Sequence, residues 1–291
     1  MIFQTKQPVK FKVSICICTY NRPGLLKKSL DSIVESSIPV FETIVSDDSD
    51  NLLTKNMVKT HYPLVKYFKS LQDGLVANRN FVAKKATGGF IMFLDDDATL
   101  DRNFLKNVRN FLLAQNSSDQ ELNKTIVTGQ EKQWGMLVQP NKQDFLGFQS
   151  VPYGKQQKIE TICINSTVFP RQLFNEIQFD RLIKFGYDEV DIATQAIRKN
   201  YKIIFCPQAI NTHYISSKRD GYRRDAEAGR VYITWKKYYQ NRQFLKSAFF
   251  LLLITLNYLF RVLKKPSFQY FKISLNGLYD GYSRIFAYLK S

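Results

Sequence analysis

The 291-residue sequence predicts an α/β protein: a mostly parallel central sheet flanked by helices, followed by a helical, basic C-terminal segment. Three observations lead there. Short apolar runs alternate with helical periodicity from residue 13 to about residue 115, as in a parallel sheet covered on both faces. Three of the early elements end in polar or acidic turns, TYNRPG, DDSD and DDDA. Basic charge collects at the end of the chain: residues 1–197 hold 24 basic and 21 acidic residues, residues 198–291 hold 18 and 4.

Taken in order, Val13–Cys18 is an apolar run that breaks at Thr19-Tyr-Asn-Arg-Pro-Gly24, a buried strand entering a turn. Leu25, Leu26, Leu30, Ile33 and Val34 then recur at helical spacing, with Lys27, Lys28 and Asp31 on the other face. Glu42–Ser46 is a second strand ending at Asp47-Asp48-Ser49-Asp50, and Leu64–Phe68 a third. Leu75–Ala86 reads as a helix stopped by Gly88-Gly89, and Phe90–Leu94 as a buried strand running into Asp95-Asp96-Asp97. Residues 116–165 are polar and loop-rich with a few antiparallel strands. Helical character resumes over Arg181–Lys199, and Tyr201–Cys206 is a strand closed by Pro207.

The tail has its own character. Lys218–Arg242 is basic and aromatic, and Ser247–Phe260 is an uncharged stretch of 14 residues, short of the ~20 a spanning helix needs. Lys246 and Arg261 flank it, and Pro266 separates it from an aromatic segment over Phe268–Tyr288. Such a helix fits a membrane interface, where anionic lipid attracts each basic residue by ~1 kcal/mol. The competing reading is a packed core or dimer helix. The expected division is therefore a domain over residues 1–215, with halves 1–115 and 116–215, and a membrane-associating tail over 216–291.

Composition narrows the function classes. With 44% hydrophobic residues and four cysteines, the chain is neither disordered, collagenous nor a disulfide-stapled mini-domain. Cys16, Cys18, Cys163 and Cys206 form no CxxC pair, and Cys16 and Cys18 share one face of a strand, so buried free thiols are expected. The opening MIFQTKQPVKFK carries no signal-peptide pattern, which places the protein in the cytoplasm, peripheral or monotopic on the membrane.

Ligands of such sheets bind at the carboxyl ends of the strands, where the three turns converge. Consecutive carboxylates repel unless a cation sits among them. Mg²⁺ or Mn²⁺ does this with oxygen ligands and leaves positions for substrate phosphate. Alternation along the strand puts Asp95 and Asp97 on one side, and Asp96 can join them. The plainer alternative is a solvated turn with Asp97 or Asp101 capping the next helix.

VSICICTYNRP, ETIVSDDSD and GLVANRNFVAKKATGGFIMFLDDDA, in that order and spacing, resemble the nucleotide-sugar-dependent glycosyltransferases of family 2, with the GT-A fold. FDRLIKFGYDEVDIATQAIRKNYKIIFCP is similar to the family's acceptor-side segment, and THY to its late histidine, so the resemblance covers residues 13–215. It implies that Thr19, Tyr20 and Arg22 border the nucleotide, that Asp48 or Asp47 meets the base, and that Arg79 lies near the diphosphate or sugar. It also implies that Asp95 and Asp96 belong to the donor site and that Asp97 leads the metal ligands, with Asp95. His213 would contact the metal or the diphosphate, while His61 is structural. Glu189 matches the second member of the family's acidic pair, the general base. Here the order is Asp-Glu rather than Glu-Asp, which leaves Asp188, Glu189 and Asp191 all open.

The implied reaction is metal-dependent, inverting transfer from a nucleotide-diphosphate sugar to a hydroxyl of a glycan or lipid-linked acceptor in cell-surface polysaccharide synthesis, with an anionic membrane surface as partner. A homodimer is compatible with the tail, and no nucleic acid is expected. Two other classes compete: a nucleic-acid-binding protein or metal nuclease, suggested by the net charge of +17 and DDD, and an inactive membrane scaffold. Lys218, Arg219, Arg223 and Arg224 would close over the diphosphate or face lipid headgroups. Specificity is expected in residues 130–175.

Overall fold

Val13–Thr19 forms β1, a strand buried on both faces along its whole length, as its near-continuous apolar sequence requires. The computed structural model describes residues 11–70, 73–115, 118–154, 157–215, 220–264 and 268–291. After β1 the chain gives α1 (Pro23–Val34), β2 (Glu42–Asp47), α2 (Leu53–His61), β3 (Lys66–Lys69), α3 (Leu75–Lys85), β4 (Phe90–Phe93), β5 (Ala98–Thr99) and α4 (Phe104–Ala114). Then follow α5 (Asp119–Leu122), β6 (Thr125–Gln133), β7 (Met136–Val138), β8 (Lys142–Gln143), β9 (Gln149–Val151), β10 (Thr167–Pro170) and α6 (Leu173–Glu176). The last elements are α7 (Asp188–Arg198), β11 (Lys202–His213), α8 (Asp220–Gln240), α9 (Phe244–Lys264) and α10 (Phe268–Lys290).

The main sheet runs β3-β2-β1-β4-β10-β6-β11-β5, with β7 paired to β6. Strands β3, β2, β1 and β4 are mutually parallel; β10 is antiparallel to both its neighbours, and β6 and β11 are again parallel. The parallel character expected from the sequence thus holds over the first half, and the second half is mixed. Strand order reverses between β1 and β4, so the crevice for a ligand opens where the TYNRP and DDD turns meet.

One strand differs from expectation in a way that matters. The run expected to close at Pro207 continues to His213, with a register shift between Phe205 and Ile210. Pro207 has no N–H to give the ladder, so pairing breaks locally and resumes beyond a bulge. Gly129 on β6 faces that bulge: a Cβ there would lie 1.9 Å from the Ala209 carbonyl oxygen. The far end of β11 then pairs antiparallel with β5, His213 opposite Ala98, which sets the histidine beside the acidic turn.

The three tail helices share a hydrophobic cluster with the sheet. Val231, Trp235, Phe250, Ile254, Tyr258, Leu278 and Ile285 pack in the same group as Cys16, Ile44, Phe93 and Ile192. Helix α9 buries Phe250, Ile254 and Tyr258 but leaves Leu245, Phe249, Leu252, Leu256, Leu259 and Phe260 exposed. Among the described residues no helix is long and apolar enough to cross a membrane. Lys218, Arg219 and Pro266 lie outside the described residues. All four cysteines are buried and free.

Candidate active site

The turn after β1 and the turn after β4 are joined by side chains. Thr19 donates through Oγ1 to Asp96 at 2.8 Å, and Arg22 Nη1 lies 3.1 Å from both Asp96 and Asp97. Burial pushes the Asp96 carboxyl up to about 6 against the pull of Arg22. Asp96 therefore packs against the TYNRP turn; β4 ends at Phe93 and Asp96 and Asp97 lie in a turn, so the turn, and not the strand alternation expected from the sequence, sets Asp97 between Arg22 and His213.

One ligand atom each from Asp95, Asp97 and His213 lie within 4.8 Å of one another. His213 Nε2 is 3.2 Å from Asp97 Oδ1, and its Nδ1 is 3.1 Å from Glu131 Oε2. Burial works against a proton on the imidazole. The hydrogen bonds to Asp97 and Glu131 and the charge of Asp95 outweigh it and carry its pKa to about 10. Asn165 completes the support: its Oδ1 accepts from the Asp95 backbone N–H at 2.7 Å, and its own N–H donates to Glu131 at 3.1 Å. Two carboxylates and an imidazole supported by a carboxylate are a donor set that fits a divalent cation such as Mn²⁺, which takes oxygen and imidazole ligands.

Arg79 links this cluster to the acids that open α7. It is 3% exposed, and its guanidinium reaches Asp95 Oδ1 at 2.6 Å with Nη2 and Asp188 with Nη1. Asp95 is partly buried, which opposes ionisation, but Arg79 and then His213 hold its carboxyl below the usual range. The three α7 acids have separate surroundings. Asp188 takes Arg79; Asp191 takes Lys236 Nζ at 2.8 Å; Glu189 takes a neutral amide, Gln149 Nε2, at 3.1 Å. Burial, reinforced by the charge of Asp188, raises Glu189 to about 7.

The structure thus brings Thr19, Arg22, Arg79, Asp95, Asp96, Asp97, Asp188 and His213 into one connected network. Asp47 is committed elsewhere, accepting from Tyr67 Oη at 2.7 Å and from the Ser49 backbone at 2.8 Å, and the backbone N–H of Asp48 continues the β1–β2 ladder by donating to the Thr19 carbonyl. Tyr20 is exposed and donates to Asp50 at 2.7 Å. Asp191 turns toward α8. Arg224 pairs with Asp280 on α10. Glu131, Gln149, Asn165 and Lys236 escaped the sequence reading. Only Glu131 had any signal there, as an acid ending the apolar run TIVTGQE.

A family model described as glycosyl transferase family 2 matches residues 14–177, more than half of the chain. The chain is a family 2 glycosyltransferase. Over 262 residues this glycosyltransferase is 25% identical to the UDP-Glc:alpha-D-GlcNAc-diphosphoundecaprenol beta-1,3-glucosyltransferase WfgD of Escherichia coli, covering 89% of this chain and 97% of that one. A Campylobacter jejuni GalNAc(5)-diNAcBac-PP-undecaprenol beta-1,3-glucosyltransferase is 36% identical over 94 residues, but the match spans only 31% of this chain and 30% of that enzyme's length. Among solved structures, the mannosyltransferase PcManGT from Pyrobaculum calidifontis, in complex with GDP-Man and Mn²⁺, superposes with a TM-score of 0.59 at 15% identity. That superposition covers 94% of this chain and 87% of PcManGT, a likeness of fold.

Proposed function

We propose that this glycosyltransferase moves a sugar, with inversion, from a nucleotide-diphosphate donor to a hydroxyl of an acceptor carried on a lipid diphosphate. The observation that carries the reading is the sorting of the α7 acids. Asp188 and Asp191 each face a cation, whereas Glu189 faces an amide; burial raises Asp191 even against Lys236, and it raises Glu189, which has no ion pair among the described residues, to about 7. A carboxylate so tuned accepts a proton at neutral pH better than an ordinary glutamate.

In this mechanism Thr19, Arg22 and Asp48 border the nucleotide, with Tyr20 at the outer edge of the same turn and Asp96 holding Thr19 and Arg22 in place. Asp95, Asp97 and His213 would hold Mn²⁺ or Mg²⁺, which when bound neutralises charge on the departing diphosphate. Arg79 fixes Asp95 and Asp188 relative to each other, so the base-bearing helix and the donor turn keep one geometry. Glu189 removes the proton of the acceptor hydroxyl as it attacks the anomeric carbon. Attack from the face opposite the leaving group inverts that centre.

Two observations support the substrate and location. The relative that aligns over almost its whole length is by name a UDP-Glc-dependent enzyme acting on a diphosphoundecaprenol-linked sugar, so UDP-glucose is the first donor to test. The exposed apolar stripe of α9, on a tail rich in Lys and Arg, suits the cytoplasmic surface of an anionic membrane. Purified enzyme with Mn²⁺, a panel of nucleotide sugars and a prenyl-diphosphate-linked acceptor should form a glycoside whose anomeric configuration, read by NMR, is opposite to that of the donor. Retained configuration, or no nucleotide-sugar binding across the panel, overturns the proposal.

A further inference from the structure

A second cavity, of about 520 Å³, lies between the segment leading into α7 and the tail helices α8 and α10. Arg181 and Lys184 line it from the α7 side, Arg224 and Asp225 from α8, and Asp280 and Arg284 from α10. Four cations thus meet two lining carboxylates, and Arg181 also pairs with Asp73, which is not part of the lining, at 2.8 Å. The carboxylates act as braces: Asp280 holds Arg224 at 2.6 and 2.8 Å, and Asp225 holds Arg284 at 2.8 Å. Arg284 is only 8% exposed, so a guanidinium is fixed at the cavity wall by the fold itself. Lys184 lies close enough to Asp280 to help depress its carboxyl, after Arg224 and together with Arg284. The wall on the α7 side is fixed as well, since Asp180 binds Lys236 Nζ and Tyr232 Oη at 2.6 Å each.

Position gives the cavity meaning. Lys184 precedes Glu189 by five residues, so the chain bounds their separation to about 18 Å, the reach of an acceptor with one to a few sugars. Phe185, next to Lys184, packs on Tyr222 with ring centroids 4.2 Å apart, and Tyr222, two residues before Arg224, is close enough to Arg22 of the donor crevice to act on its charge. Tyr279 and Phe286, one position before Asp280 and Ala287 on α10, are exposed. A cavity with cations inside, the proposed base five residues further along the chain and exposed apolar residues on the helix that lines it suit a molecule with three such parts: sugar, diphosphate and prenyl chain.

We infer that the cavity lined by Arg181, Lys184, Arg224 and Arg284 binds the diphosphate of a prenyl-diphosphate-linked acceptor. The inference rests on the proposed acceptor class and assigns that acceptor's charged group a place. Guanidinium and ammonium groups suit it because diphosphate oxygens accept charge-assisted and bidentate hydrogen bonds.

The test uses the full chain in detergent with UDP and Mn²⁺ saturating the donor site, and farnesyl diphosphate as probe. Calorimetric titration should show binding that farnesol does not reproduce. Lys184→Ala and Arg181→Ala, both at exposed side chains, should each weaken it about tenfold and leave UDP affinity unchanged. Arg284→Gln should weaken it further, and retained helical circular dichroism confirms that this variant folds. Unchanged affinity in the Lys184 and Arg181 variants, or equal binding of farnesol, overturns the inference. So does binding of phosphatidylglycerol vesicles that needs the same residues and that farnesyl diphosphate fails to compete, which would assign the cations to lipid headgroups. A wild-type protein that binds farnesyl diphosphate but not UDP would sink the donor-site reading instead, and the two failures are separable.

Discussion

Three acids open α7, and their neighbours decide what each can do. Glu189 carries a folded-state pKa of about 7 against an ordinary 4.5, because burial and the charge of Asp188 disfavour ionisation. As the proposed base it must be deprotonated, so kcat/KM should rise with pH through about 7 and level off above. Glu189→Gln should cost about 100- to 10,000-fold in turnover and abolish that profile. The sign for stability is opposite. A carboxyl with a raised pKa contributes most below 4.5 and loses that contribution as pH rises through about 7. Replacing it by an amide should then raise stability at pH 8, by up to about 3 kcal/mol, and a lower melting temperature there would contradict the assignment. Asp188→Asn should behave differently. It leaves the buried Arg79 short of one carboxylate, so both activity and stability fall, the latter by about 3 kcal/mol. Glu131 offers a further check, since it braces His213 at Nδ1 without belonging to the three-residue cluster. Glu131→Gln should weaken Mn²⁺ binding about 10- to 100-fold, measured by electron paramagnetic resonance in the presence of UDP. Unchanged affinity would remove His213 from the ligand set.

Helices α8 and α10 meet through glycine, and this contact builds the wall of the second cavity. A Cβ at Gly281 would lie 2.7 Å from Val231 Cβ, and one at Gly277 would lie 2.9 Å from Glu227 Cβ. Gly281→Val should therefore cost about 1–3 kcal/mol through overpacking, read as a lower denaturation midpoint; an unchanged midpoint would show that the helices can separate freely. Close approach of this kind is hard to see in a sequence, because a glycine inside a helix pattern looks only like a weak position. The first half of the fold was easier to read. Strands β1, β2 and β4 are buried on both faces, so their apolar runs and terminal turns mark them clearly, and the Thr19–Asp96 and Arg22–Asp97 contacts follow from adjacent strand ends. Where the expectation failed, long-range geometry had taken over. Pro207 marks a strand end in the sequence pattern, yet pairing to β6 and β5 carries β11 past it to His213. Asn165 sits in a single 3₁₀ turn and Gln149 at the start of a short strand, with no local pattern to distinguish them, and only the folded chain brings them to Asp95 and Glu189. The commitment of Asp47 likewise depends on Tyr67 of β3, a partner 20 residues away.

Across the molecule, charge and apolar surface are distributed together. Residues 198–291 carry 18 basic and 4 acidic residues, and the same region exposes Leu245, Phe249, Leu252, Leu256, Leu259 and Phe260 along one face of α9. Their spacing of three and four residues keeps them on a single stripe, with Leu245 90% exposed. The opposite face of the helix, Phe250, Ile254 and Tyr258, is already buried in the core, so the stripe is available to a partner while the helix stays anchored. An anionic bilayer satisfies both features at once: each basic residue near its surface adds ~1 kcal/mol, and each apolar side chain that enters the interface contributes in proportion to the area removed from water, at about 25 cal/mol per Å². The two contributions can be separated by experiment. Binding to phosphatidylglycerol vesicles should weaken as salt rises, since surface charges are screened within about 10 Å at 0.1 M. Leu252→Glu combined with Leu256→Glu should abolish cosedimentation even at low salt, because it places charge in the stripe without touching the buried face. Donor hydrolysis with UDP-glucose and Mn²⁺ should persist in that variant while transfer to a membrane-embedded acceptor falls. If the double variant still sediments with vesicles but changes from dimer to monomer in analytical ultracentrifugation, the stripe is a contact between two copies of the chain and the membrane attachment lies elsewhere.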